Sequence, residues 1–146
     1  MADCPIPTVT AMLVCDQTIA EQGTNKKSLI GIFEQVGSSR FPTAMPRLSV
    51  YVRLVDGSGR YLFKLRVVSL KDEALLADIE VDAEISNPMQ AAELVFNIVG
   101  FPIPEPGKYE FQLYTGDVYL HRVTMEVQAM QGGIPPWQQQ SRPRPS

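Results

Sequence analysis

The sequence has one histidine, one tryptophan and two cysteines among its 146 residues. Each shortage excludes a class of chemistry. Cys4 and Cys15 are too few for a disulfide framework and do not have the spacing of a redox CxxC pair. A zinc site would need more ligands than these two thiols and one histidine can supply. Reduced thiols in a cytoplasmic protein are therefore expected. A catalytic imidazole needs a nucleophile to activate and an acid to orient it, and the spacing around His121 suggests neither. His121 shares parity with Tyr119 and Val123, so it is expected to lean toward the apolar face of the last strand as a structural histidine. No phosphate-cradling glycine loop, nucleophile elbow or HExxH pattern occurs. Asp56-Gly57-Ser58-Gly59 lacks the repeated oxygen ligands of a calcium loop. No metal and no cofactor is expected.

Long apolar runs and a basic leader are also missing. The stretch from Val9 to Cys15 is too short to cross a bilayer. No positive charge precedes Lys26, so no secretory signal is expected. The formal net charge is −3, and a surface of that sign is ill suited to nucleic acid as a main ligand. These features predict a protein without a membrane or nucleic-acid role.

A strong two-residue hydrophobic period is present. Leu48, Val50, Val52 and Leu54 share one face. Tyr61, Phe63, Leu65 and Val67 alternate with Arg60, Lys64 and Arg66. Between 75 and 85, Leu75, Ala77, Ile79, Val81, Ala83 and Ile85 point in, while Asp78, Glu80, Asp82 and Glu84 point out. Further strands are marked by Ala92 to Ile98, Tyr109 to Leu113 and Tyr119 to Val127. Val9–Cys15 and Ser28–Val36 are apolar on both faces, which suits a strand covered on both sides or one crossing between sheets. The total is about eight strands. Asp56–Gly59 predicts a tight hairpin turn. If the 60–69 and 75–85 strands pair through Leu70–Ala74, Arg66 falls by Asp78 and Lys64 by Glu80. In Pro106-Gly107-Lys108-Tyr109, a tyrosine enters a strand after a Pro-Gly corner, as the tyrosine corner of immunoglobulin-like sandwiches does. The expected fold is an all-β, antiparallel, immunoglobulin-like Greek-key sandwich.

Three segments follow. Residues 1–7 read as an N-terminal extension, 8–130 as the sandwich domain, and 131–146 as a Gly/Pro/Gln-rich tail expected to be disordered. Two places suit binding. Asn25, Lys26 and Lys27 lie in a polar loop whose lysines and backbone donors could meet an anion or an acidic partner. Pro135, Pro136 and Trp137 form a stiff segment carrying a strong anchor for a groove. The expectation is a non-catalytic protein-binding or scaffolding module that presents either the domain face or this tail to another protein. Binding of a small ligand or anion by the 23–28 loop is the alternative. Self-association through an exposed edge strand is a further expectation.

Cys15-Asp16, then Gly23-Thr24-Asn25-Lys26-Lys27-Ser28-Leu29-Ile30-Gly31-Ile32-Phe33, and later Pro106-Gly107-Lys108-Tyr109-Glu110-Phe111, carry a resemblance. Arg40-Phe41-Pro42 and Tyr51-Val52-Arg53-Leu54 fit the same pattern. Over about residues 10–127 the chain resembles a family of small bacterial β proteins, a domain of unknown function. The resemblance implies a bacterial origin and a compact β domain, and it transfers no activity.

Overall fold

The computed structural model describes residues 4–130. The 131–146 tail, with Pro135, Pro136 and Trp137, lies outside the described residues. Nine strands follow in order: β1 (Thr8–Ala20), β2 (Lys27–Ile32), β3 (Gln35–Ser38), β4 (Thr43–Val55), β5 (Gly59–Ser69), β6 (Leu75–Ile85), β7 (Ala92–Ile103), β8 (Gly107–Thr115) and β9 (Val118–Ala129). They form a four-stranded sheet, β2-β1-β4-β7, and a five-stranded sheet, β3-β9-β8-β5-β6. The chain changes sheet on both sides of β3, between β4 and β5, between β6 and β7, and between β7 and β8. Those crossovers make it an immunoglobulin-like Greek-key sandwich.

The inner faces supply the core. Leu48, Val50, Val52 and Leu54 of β4 meet Phe63, Leu65 and Val67 of β5 and Phe111 and Leu113 of β8, all essentially without solvent contact. The aromatic residues form the centre. Phe101 lies edge-on to Tyr109 at 6.3 Å between ring centroids and 6.1 Å from Phe111. Removing a ring such as Phe111 would cost about 3–5 kcal/mol, because the cavity would only partly close.

The tyrosine corner is present. The Tyr109 hydroxyl donates to the Glu105 carbonyl at 2.5 Å while its ring is 1% exposed. Burial pushes this phenol's pKa up. A second tyrosine ties the chain's beginning to the sandwich. Tyr61 donates to the Pro5 carbonyl at 2.5 Å and accepts from the Ser58 amide at 2.9 Å. Pro7 is buried beside it.

The charged hairpin has the expected register: Lys64 faces Glu80 and Arg66 faces Asp78. The ion pair that closes across it is a third one, Arg60–Glu84 at 3.9 Å between exposed side chains. Such a pair adds little stability.

Four features differ from the sequence reading. The 28–36 segment is two strands. β2 stays with β1, and β3 crosses to the other sheet and runs parallel to β9. Crossing between sheets was one of its two expected roles. Full cover was not realised on β2, where Ile30 and Ile32 are 46% and 54% exposed. Residues 56–59 are a corner between sheets and no hairpin, since β4 and β5 belong to different sheets. Asp56 there has φ 64 and Gly59 has φ 112. Finally, the β8–β9 register shifts between Leu113 and Tyr114, so Tyr119 faces Tyr114. This bulge puts Tyr119 on the outer face, 50% exposed, and His121 is exposed as well.

Candidate functional site

The two outer faces of the sandwich are built differently. On the four-stranded sheet, β1 leaves β4 after Cys15 and continues with β2 as a hairpin. The hairpin lies back over the sheet. Thr18 Oγ1 is 2.7 Å from Ser49 Oγ on β4, and Lys27 Nζ reaches Glu93 Oε1 at 3.5 Å on β7, two strands away from β1. This cover explains why Cys15 and Ser49 are 0% and 1% exposed although both lie on the side away from the core.

Gly31 and Asp16 shape the base of the hairpin. Gly31 has φ 69, and a side chain there would run into the Asp16 carboxylate. Only glycine accepts both conditions without strain. Asp16 and Gly31 both belong to the motif stretch, which has a packing reason at this point.

The 23–28 loop is largely committed to structure. Gly23 and Asn25 adopt positive φ, 94 and 58. The Lys27 ammonium donates to the Asn25 carbonyl and to Asn25 Oδ1, each at 3.2 Å, besides pairing with Glu93. Glu93 in turn accepts from the Tyr51 hydroxyl at 2.5 Å. Burial, and then the neighbouring Glu93 carboxylate, push the Tyr51 phenol up to about 12. Lys26 is exposed at the tip. The sequence-predicted residues are thus together, but Asn25 and Lys27 latch the hairpin onto the sheet.

The outer face of the five-stranded sheet is open. Along β8 a polar relay runs down every second residue. Tyr114 donates to Gln112 Oε1 at 3.3 Å, and Gln112 Nε2 donates to Glu110 Oε1 at 2.8 Å. Arg122 on β9 pairs with Glu110 Oε2 at 3.6 Å, where the Glu110 side chain is 10% exposed and Arg122 65%. The relay orients Tyr114, and Tyr119 packs edge-on against it, 5.7 Å between centroids at 69°. Beside the pair lies a groove of about 240 Å³ lined by Lys64, Arg66, Asp78, Tyr114, Gly116 and Asp117. It presents cations, carboxylates and an aromatic wall on a rigid sheet, a composition suited to recognising a polar partner. Among the described residues, no group of three or more His, Cys, Asp or Glu side chains stands together as a metal site.

The sequence pattern marks Lys64, Arg66 and Asp78 as a paired charged sheet face, but it does not bring Tyr114, Gly116 and Asp117 to them. Tyr114 and Tyr119 flank the Gly116-Asp117 turn, but strict alternation puts Tyr119 inside. Only the bulge brings the two rings together.

The model of a family of unknown function, DUF6941, matches residues 10–128, and the chain belongs to that family. No curated protein matches the sequence. Among solved structures, a β-D-glucoside glucohydrolase from Trichoderma reesei is similar with TM-score 0.46 and 12% identity, over 84% of this chain and 19% of that one. This chain thus spans about a fifth of the enzyme's length. An immunoglobulin-like protein from Pseudomonas aeruginosa gives TM-score 0.41 and 14% identity, over 86% and 97% of the two chains. A CARDB domain from Pyrococcus furiosus, solved with di-metal ions, gives 0.38 and 16%, over 85% and 96%. At these identities no activity passes from them to this chain.

Proposed function

Within that family, we propose that this chain is a non-catalytic protein-binding module of bacterial origin, acting in the cytoplasm, whose recognition surface is the outer face of the five-stranded sheet. One observation carries the reading. The pair of half-buried Tyr114 and exposed Tyr119 is held by a hydrogen-bonded relay beside a groove with both signs of charge. An aromatic group held in one orientation loses little freedom on binding, and an arginine beside it adds a charged contact. The two free thiols, exposed Cys4 and buried Cys15, are consistent with a reducing compartment. The Pro135-Pro136-Trp137 segment is a second contact in this proposal.

The test uses affinity capture from cells that express the full chain naturally. Wild type, Tyr119→Ala, Arg122→Ala and a chain ending at Met130 are compared. Loss of the captured protein with the first two variants supports the face, and loss with the shortened chain assigns the contact to the tail. Undiminished capture by all three variants removes both surfaces.

Anion binding at the 23–28 loop is the less favoured reading, because Lys27 is already engaged by Asn25 and Glu93. Thermal stabilisation by phosphate that is lost in Lys26→Ala would restore it.

A further inference from the structure

A strand at a sheet edge exposes unpaired N–H and C=O groups, which an extended segment of another chain can meet. Among the described residues, β2, β7, β3 and β6 lie at sheet edges. Three of them are too short or too broken for a long pairing. β3 has four residues. β2 contains Gly31 at φ 69. β7 contains Gly100 at φ 65 and Pro102, which has no N–H. β6 is long and unbroken. From Ala77 to Ile85 it pairs with β5 without a shift in register, and it holds no glycine, proline or residue of positive φ.

The two faces of β6 are incomplete in different ways. Ala77, Ile79, Val81 and Ala83 point into the sandwich opposite Val67, Leu65, Phe63 and Tyr61 of β5. Those β5 residues are buried, whereas the β6 row is only half-buried against the core. β6 ends its sheet, so no strand covers the row from its far side. On the outer face Asp78, Glu80, Asp82 and Glu84 are all exposed, each about 7 Å from the next. The β5 cations answer them only in part. Arg60 pairs with Glu84, while Lys64 faces Glu80 and Arg66 faces Asp78 with no ion pair closed among the described residues.

We propose that the β6 edge takes an extended segment of a partner protein in which basic and apolar residues alternate. The proposal rests on the reading of this chain as a protein-binding module and adds the chemistry of the partner. The segment's backbone would complete the hydrogen bonds of β6. Its apolar side chains would lie beside Ile79 and Val81 and cover the half-buried row, and its lysines or arginines would stand beside Asp78, Glu80 and Asp82. A two-residue period serves both faces, since one phase turns every apolar side chain inward and every cation outward. Charge selects this occupant. A second copy of β6 would set carboxylates beside carboxylates. A neutral strand would take water from the carboxylates and return no partner.

Capped peptides as long as Ala77–Ile85 test this with the full chain, by fluorescence anisotropy for affinity and hydrogen exchange for place. A peptide alternating lysine with valine is expected to bind and to slow exchange of the β6 amides. A peptide alternating glutamate with valine is expected to bind at least about tenfold more weakly, and so is one of the first composition with its lysines in a single block. Glu80→Gln/Asp82→Asn is expected to weaken the lysine–valine peptide about tenfold. Both side chains are exposed, and circular dichroism confirms that the variant folds. No binding of the lysine–valine peptide overturns the proposal. So does binding no tighter than that of the block peptide, binding without slower exchange in β6, or binding undiminished in the variant. Tyr119→Ala and Arg122→Ala are expected to leave peptide affinity unchanged, because both side chains lie on β9, away from this edge. A loss of affinity in either would move the contact to the open face and overturn the edge. The peptide result and the partner-capture result can therefore fail separately.

Discussion

The two sheets share one core and treat their outer faces in opposite ways. The four-stranded sheet folds its own β1–β2 hairpin over itself and fastens it through Thr18–Ser49 and Lys27–Glu93–Tyr51. The five-stranded sheet leaves its outer face open and stiffens it with side-chain hydrogen bonds along β8. The covered face spends its polar groups on one another. The open face keeps Tyr119, Arg122, Lys64 and Arg66 available. Side chains that resemble each other in sequence, such as Tyr51 and Tyr119 or Lys27 and Lys64, therefore have different roles.

Substitutions on the two faces should differ accordingly. The largest effect is expected at the hairpin base. Gly31→Ala adds a side chain at positive φ and against Asp16, and it should cost about 2–3 kcal/mol in denaturant unfolding. A midpoint unchanged from wild type would mean that the hairpin is not held as described. Tyr51→Phe comes next. It removes the hydrogen bond to Glu93 and should cost about 1 kcal/mol.

The same phenol sets a pH response. Its folded pKa lies above the ordinary tyrosine value, so the neutral form is the one the fold favours. Its contribution is complete below about pH 10 and is lost as pH rises through about 12. A titration of tyrosinate absorbance should show a late-ionising component that Tyr51→Phe diminishes. If the curve is the same in that variant, the Tyr51–Glu93 contact is not closed in solution. The smallest effect is expected on the open face. Tyr119→Ala and Arg122→Ala should each change stability by about 0.5 kcal/mol or less, while reducing partner capture. A large loss of stability in either would show that this face is structural like the other.

The sandwich was legible because period two is a local property. The register of Arg66 with Asp78 and of Lys64 with Glu80 follows from charge alternation on two neighbouring strands joined by a short turn. The corner at Tyr109 follows from the six residues around it. The candidate face was not legible, because a single shift between Leu113 and Tyr114 reverses the side on which Tyr119 emerges. Alternation alone cannot reveal a bulge. The loop at Asn25, Lys26 and Lys27 was visible as a polar segment. Its partner Glu93 lies far along the chain, on a strand that meets Lys27 only after the hairpin folds back.

The sequence by itself therefore determined the all-β class, the inward faces of most strands and the turns between them, because alternation and turn chemistry act over a few residues. Tertiary structure alone decided the division of 28–36 between two sheets, the covering of one outer face and the opening of the other. These depend on which distant strands become neighbours, and the pattern along a single strand carries no information about what lies across from it.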